Sequence, residues 1–166
     1  MLREEVVMYK KILVVITAHA ASQGAVRHAV HLAGVHGSEL LFLYVLPRYV
    51  LPIADMPPAV LEPPEEFLRA ARETGDSHLA AAMRDAEAAG VMSNRSMTSG
   101  TDDALSIADA AVRHRCDLIV VATEGRNAVM RILSGSVIPG LITVATVPVL
   151  ICRPDSSARA PGLRPG

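Results

Sequence analysis

The residues best placed to do chemistry are Ala122-Thr-Glu-Gly125 and, after nine intervening residues, Gly135-Ser136. They follow directly on the apolar run Asp117-Leu-Ile-Val-Val121, which reads as a buried strand. A glycine at a strand exit, then a loop, then Gly-Ser opening a helix is an arrangement that can hold a phosphate. Glycines let the backbone approach an anion closely, and the first N–H groups of a helix have no partner within it. A plain connection with two turn glycines would carry the same letters, so the surrounding elements must decide. No Walker A lysine follows the glycines, which argues against a P-loop NTPase.

Other chemistry-bearing residues are more scattered. The histidines stand at 19, 28, 31, 36, 78 and 114. His28 and His31 share a helix face without a third ligand nearby, which fits a solvated face better than a metal site. His19 comes just after the first strand, where it could line a pocket. Glu65-Glu66 follow Pro63-Pro64 in a helix first turn, where acids suit the helix dipole. Ser22, Ser134 and Ser136 lack the Gly-x-Ser-x-Gly pattern of a nucleophile elbow. Cys116 and Cys152 sit beside or inside apolar runs and read as buried, reduced thiols; no Cys-x-x-Cys is present.

The elements that would position the loop can be read in turn. Lys10–Thr17 and Glu39–Leu46 are continuous apolar runs, the pattern of strands covered on both faces. Between them Ser22 could cap a helix whose face is marked by Ala25, Ala29, Leu32 and Ala33 and which Gly34 and Gly37 end. Pro47–Pro64 holds six of the eleven prolines (47, 52, 57, 58, 63 and 64) and reads as an irregular surface loop. A long helix is expected over 65–89, then a polar edge strand over 91–97. Gly100 and Asp102 open a helix with Ala104, Ile107, Ala108 and Ala111 on one face. A strand over 117–121, the glycine loop, a helix over 136–145 and a strand over 148–152 complete the order.

Strands alternating with helices predict an α/β, three-layer, doubly wound parallel sheet of five strands. Ligands in such sheets bind beyond the strand C-termini at the switch in strand order, which is where the glycine loop lies. The 166 residues suit one domain over 1–153, with a Pro/Gly/Ser/Arg-rich tail at 154–166 expected to be disordered. The core must come from Val, Leu, Ile and Ala, since the chain has two Phe, three Tyr and no Trp. A net charge of −1 gives no field to recruit nucleic acid or an anionic membrane. No apolar run approaches the roughly 20 residues that span a bilayer, and the acidic start lacks a signal-peptide core, so a cytoplasmic protein is expected.

Taken together, four stretches resemble the universal stress protein family over about residues 7–153. They are Val7-Met-Tyr-Lys-Lys-Ile-Leu13, Asp117-Leu-Ile-Val-Val121, Gly125-x9-Gly135-Ser136-Val137 and Thr146-Val-Pro-Val-Leu-Ile-Cys-Arg153. The resemblance implies the adenine nucleotide alpha hydrolase-like fold with strand order 3-2-1-4-5, and a homodimer formed through the last strand, Pro148–Cys152. Many members bind ATP through Gly-x2-Gly-x9-Gly-Ser/Thr. Here Ala122 takes the first glycine position, while Gly125, Gly135 and Ser136 keep the others. Thr17 stands where ATP-binding members carry an Asp at the end of the first strand, and Val45 matches their valine near the base.

By that likeness Thr17 and Val45 contact ribose and base, and Ala122 lets the backbone approach the ribose. Gly125 and Gly135 hold phosphates, and Ser136 adds a hydroxyl. The cofactor implied is ATP, or AMP or ADP, with Mg²⁺. Glu124 would repel a triphosphate unless a divalent ion, Arg126 or Arg131 intervened. Val129, Met130, Ile132 and Leu133 read as apolar anchors of the loop. The implied role is a sensor or regulator in stress response that works with an unidentified protein partner. No general base is identifiable, so no enzyme is expected. The alternative is a member that binds no nucleotide and serves as a dimeric interaction module.

Overall fold

The computed structural model describes residues 8–17, 21–51, 54–55, 57, 59–123 and 137–153. The apolar runs form strands where expected: β1 (Lys11–Ile16), β2 (Glu39–Val45), β6 (Leu118–Ala122) and β7 (Val149–Cys152). The polar run forms β5 (Ser93–Thr98). Their order is β5-β2-β1-β6-β7, all parallel. Counting only these five strands, that is 3-2-1-4-5.

Alternation along β1 and β2 sends successive side chains to opposite faces, and a separate apolar layer covers each. On one side Ile12, Val14, Leu40, Phe42 and Leu118 pack against α1 (Ala21–His36) and α2 (Glu65–Ala88). On the other, Leu13, Val15, Leu41, Leu43 and Ile119 pack against α3 (Asp103–Arg113) and α4 (Val137–Val144). The marked faces are the buried ones: Ala25, Ala29 and Ala33 in α1, and Ala104, Ile107, Ala108 and Ala111 in α3. Leu32 is only partly buried.

Local signals explain the boundaries. Asp102 caps α3 by accepting a hydrogen bond from the Leu105 amide at 3.1 Å. Gly37 and Gly90 follow α1 and α2 at φ +67° and +70°, a left-handed region that costs a residue with a Cβ. At the opposite end of the sheet, the Asp117 carboxylate accepts from the Lys10 and Lys11 amides at 2.8 and 3.2 Å and sets the start of β1 against β6.

Two expectations are corrected. Ser22 lies inside α1 rather than ahead of it, and its hydroxyl donates to the Thr17 carbonyl at 3.0 Å. The Pro47–Pro64 stretch is not wholly irregular. Its ends pair as a short antiparallel hairpin, β3 (Val50–Leu51) with β4 (Ala59–Val60). The prolines lie outside these four residues, so none removes a donor the pairing needs. Tyr49 at the hairpin's start meets Phe67 of α2, with ring centroids 5.0 Å apart.

Candidate nucleotide site

The switch point falls between β1 and β6. From β1 the chain crosses to β2 through α1; later it crosses from β5 through α3 to β6, on the other side of β1. The two crossovers leave on opposite faces of the sheet, which opens a crevice at the C-terminal ends of β1 and β6.

Three of the six expected site residues lie at this edge. The β1–β2 register ends at Ile16↔Tyr44, so Thr17 and Val45 follow side by side. Val45 packs against the α3/α4 layer. Continuing the alternation of Leu13 and Val15 puts exposed Thr17 on that same side. Ala122 pairs with Cys152 at the end of β6 and packs into the α1/α2 layer. Its methyl therefore faces away from Thr17 and Val45, and only its backbone can serve a ligand there. Just beyond, the Thr123 amide donates to the Cys152 carbonyl at 2.8 Å.

Gly125, Gly135 and Ser136 lie outside the described residues, as do Glu124, Arg126, Arg131, the apolar loop residues 129, 130, 132 and 133, His19 and the 154–166 tail. What is described is the helix they would feed. α4 begins at Val137, directly after Gly135-Ser136, on the face that carries Val45.

The edge also holds residues that sequence reading passed over. A cleft of ≈ 230 Å³ lies between the chain leaving β2 and the starts of α3 and α4, lined by Arg48, Thr101, Asp102, Asp103, Ala104, Val137 and Gly140. Arg48 donates to the Thr101 carbonyl at 3.3 Å, and its Nε stands 3.9 Å from Asp103 Oδ1. That oxygen is buried and has no hydrogen-bond partner among the described residues. Burial pushes the Asp103 carboxyl up from its ordinary range; Arg48 pulls it down, and Asp102 adds to the rise. The floor is tight, because a Cβ on Gly140 would stand 2.9 Å from that of Ala104. In sequence Asp103 looks like a first-turn acid and Arg48 like a loop cation 55 positions away. Only the fold brings them together.

The cysteines are free and buried. Burial pushes the Cys116 thiol up to about 11 and raises Cys152 as well, so both stay protonated at neutral pH. Among the described residues no group of three His, Cys, Asp or Glu side chains could hold a metal, and His28 and His31 are both exposed. No helix among them is long and apolar enough to cross a membrane.

A doubly wound sheet with a C-terminal crevice defines a broad class of nucleotide-associated folds, and comparison narrows it. Residues 8–153 match the universal stress protein family, and the chain belongs to it. A universal stress protein of Methanocaldococcus jannaschii, MJ0531, is 32% identical over 147 residues, covering 88% of this chain and 83% of that one. A family structure from Burkholderia pseudomallei superposes with a TM-score of 0.70 at 26% identity, covering 89% and 98% of the two chains. An Arabidopsis thaliana member solved with AMP bound shares the fold at 16% identity and TM-score 0.63, covering 89% and 94%.

Proposed function

We propose that this chain binds an adenine nucleotide, ATP or the corresponding mono- or diphosphate, and acts as a homodimeric regulator rather than an enzyme. One observation carries the reading. Val45 and Thr17 share the face of the switch point on which α4 starts, directly after Gly135-Ser136. A base and ribose on that face would leave the phosphates toward the N-terminal end of α4. The AMP held by the Arabidopsis relative supports the ligand class. Mg²⁺ would be held chiefly by phosphate oxygens and water, its usual mode, and would neutralise phosphate charge beside Glu124. Binding would shift a surface that a cytoplasmic partner reads, a change in population rather than a chemical step.

The dimer would form through Pro148–Cys152. Among the described residues β7 pairs only with β6, and Leu150 and Ile151 are 41% and 37% exposed beside it.

A second reading rests on Thr17, which offers a hydroxyl where a carboxylate would hold a ribose more strongly. Under it the chain is an interaction module without nucleotide. Isothermal titration of nucleotide-stripped protein with ATP and Mg²⁺, against AMP and GTP, separates the two. Binding near one site per chain with adenine preferred supports the first. An absence of heat at high micromolar ATP, from protein shown to be folded, leaves the second.

A further inference from the structure

The groove between α1 and α2 opens a separate cavity of ≈ 490 Å³. Its floor is Ile16, Val26 and Ala82, all buried in the α1/α2 layer, whereas Val45 belongs to the α3/α4 layer. Successive side chains of β1 alternate, so Ile16 and Thr17 turn to opposite faces and the cavity lies across the sheet from the nucleotide crevice. Its volume falls within the roughly 300–1,000 Å³ of small-molecule sites. Between His78 and Asp85, α2 offers this space only the methyls of Ala81 and Ala82, which leaves it open.

A cation and an anion stand over the apolar floor. Arg27 of α1 and Asp85 of α2 line the cavity and also the groove that continues from it toward Gly34 and Ala88, so both sit where the two spaces meet. Both residues are exposed, within reach of a ligand entering from solvent. This pairing discriminates between ligand classes. A phosphate or a simple carboxylate would meet the like charge of Asp85, and an amine alone would meet that of Arg27. A molecule with both charges on neighbouring atoms satisfies the two at once. We propose that this cavity binds a small zwitterion with an apolar body, the chemistry of a free aliphatic α-amino acid. Its carboxylate accepts from the Arg27 guanidinium, its ammonium donates to Asp85, and its side chain lies over Ile16, Val26 and Ala82. The end of a peptide would bring only one of the two charges.

The test is isothermal titration of the full chain with L-leucine, with leucinamide, which lacks the carboxylate, and with isocaproate, which lacks the ammonium. Leucine should bind near one site per chain, and each analogue roughly 10- to 100-fold more weakly, the range for a hydrogen bond to a charged group. In Arg27→Gln leucine should lose its advantage over leucinamide, and in Asp85→Asn its advantage over isocaproate. Ala81→Leu changes an exposed helical position to a residue that suits a helix and should abolish binding by filling the cavity. Circular dichroism confirms that each variant is folded. Absence of heat from millimolar leucine with folded wild-type protein overturns the proposal. So does an analogue that binds as well as leucine, or leucine binding that survives in Ala81→Leu. Saturating ATP should leave leucine affinity measurable; competition between the two would put leucine in the crevice and overturn the assignment to this cavity.

Discussion

Strand β5 closes the sheet on one side with Ser-Asn-Arg-Ser-Met-Thr, and β7 closes it on the other with Val-Leu-Ile-Cys. Both are edges of one parallel sheet, yet they deal with unpaired backbone in opposite ways. β5 carries charge and amide groups outward: Arg95 pairs with Asp76 of α2 at 3.2 Å, and Asn94 donates to Glu39 of β2 at 2.6 Å. Polar side chains of this kind discourage a second chain from adding to the edge. β7 instead leaves Leu150 and Ile151 part-exposed, with Ile142 and Val144 of α4 exposed as well. An edge that were merely unprotected would invite open-ended association. A twofold axis through it would pair two β7 strands antiparallel and use up both edges at once, leaving β5 to keep the dimer closed.

The largest expected effect therefore comes from a charge placed on β7. Leu150→Lys, present twice in the proposed symmetric interface, should weaken that dimer by about 10²-fold or more, since an unpaired buried charge costs on the order of 3–5 kcal/mol. Light scattering at micromolar protein should then show monomers with an unchanged circular dichroism spectrum. A dimer that persists would move the interface away from β7.

A smaller effect tests how β5 is held. Gly75 of α2 sits over this side of the sheet, and a Cβ there would stand 2.6 Å from the Tyr44 ring and 3.0 Å from Met97 of β5. Gly75→Ala should improve helix propensity by about 1 kcal/mol but force α2 off Tyr44, at a cost of about 1–3 kcal/mol. A net loss of stability, read as a lower denaturation midpoint at unchanged slope, is the expected result. A gain would mean that the ring yields freely and that β5 is not held by close packing.

How legible all this is in sequence differs between regions for physical reasons. β1, β2 and β6 announce themselves because both faces are covered and, past the opening Lys11 and Glu39, every position is apolar, as in Ile12-Leu-Val-Val-Ile16. β5 is legible as an edge for the opposite reason, its polarity. The hairpin is hidden because proline counts dominate its segment; the usable signal is the pair of apolar triplets Tyr49-Val-Leu51 and Ala59-Val-Leu61 flanking them. The glycine motif reads directly because its residues are close in the chain. Arg48 and Asp103 do not, since their meaning depends on a burial and an apposition that no local pattern encodes.

Next in size is a pH effect near the β6–β7 side. The Cys116 thiol is raised above its unfolded value of 9.0 to about 11. Between those values the unfolded chain gives up its proton while the folded one keeps it, so the stabilising contribution is intact below pH 9 and is lost as pH rises toward 11. Cys116→Ala should flatten the fall in stability across that window. Alkylation of folded protein at pH 8 should be slow at both cysteines. Fast modification of Cys152 alone would indicate that β7 opens locally, which would weaken the case for it as a rigid interface.

The smallest effect should come from the polar edge itself. Arg95 and Asp76 are 48% and 57% exposed, so their ion pair is solvated and screened, and Arg95→Ala is expected to change stability by no more than about 0.5 kcal/mol. Its consequence should appear in association instead. If charge on β5 protects that edge, pairing Arg95→Val with Asn94→Val should produce species larger than a dimer as concentration rises, while the single alanine variant stays unchanged. Light scattering across a concentration series separates these outcomes. A double variant that remains dimeric would assign the protection to the close cover of α2, at Gly75, over Tyr44 and Met97, making side-chain charge on β5 incidental to it.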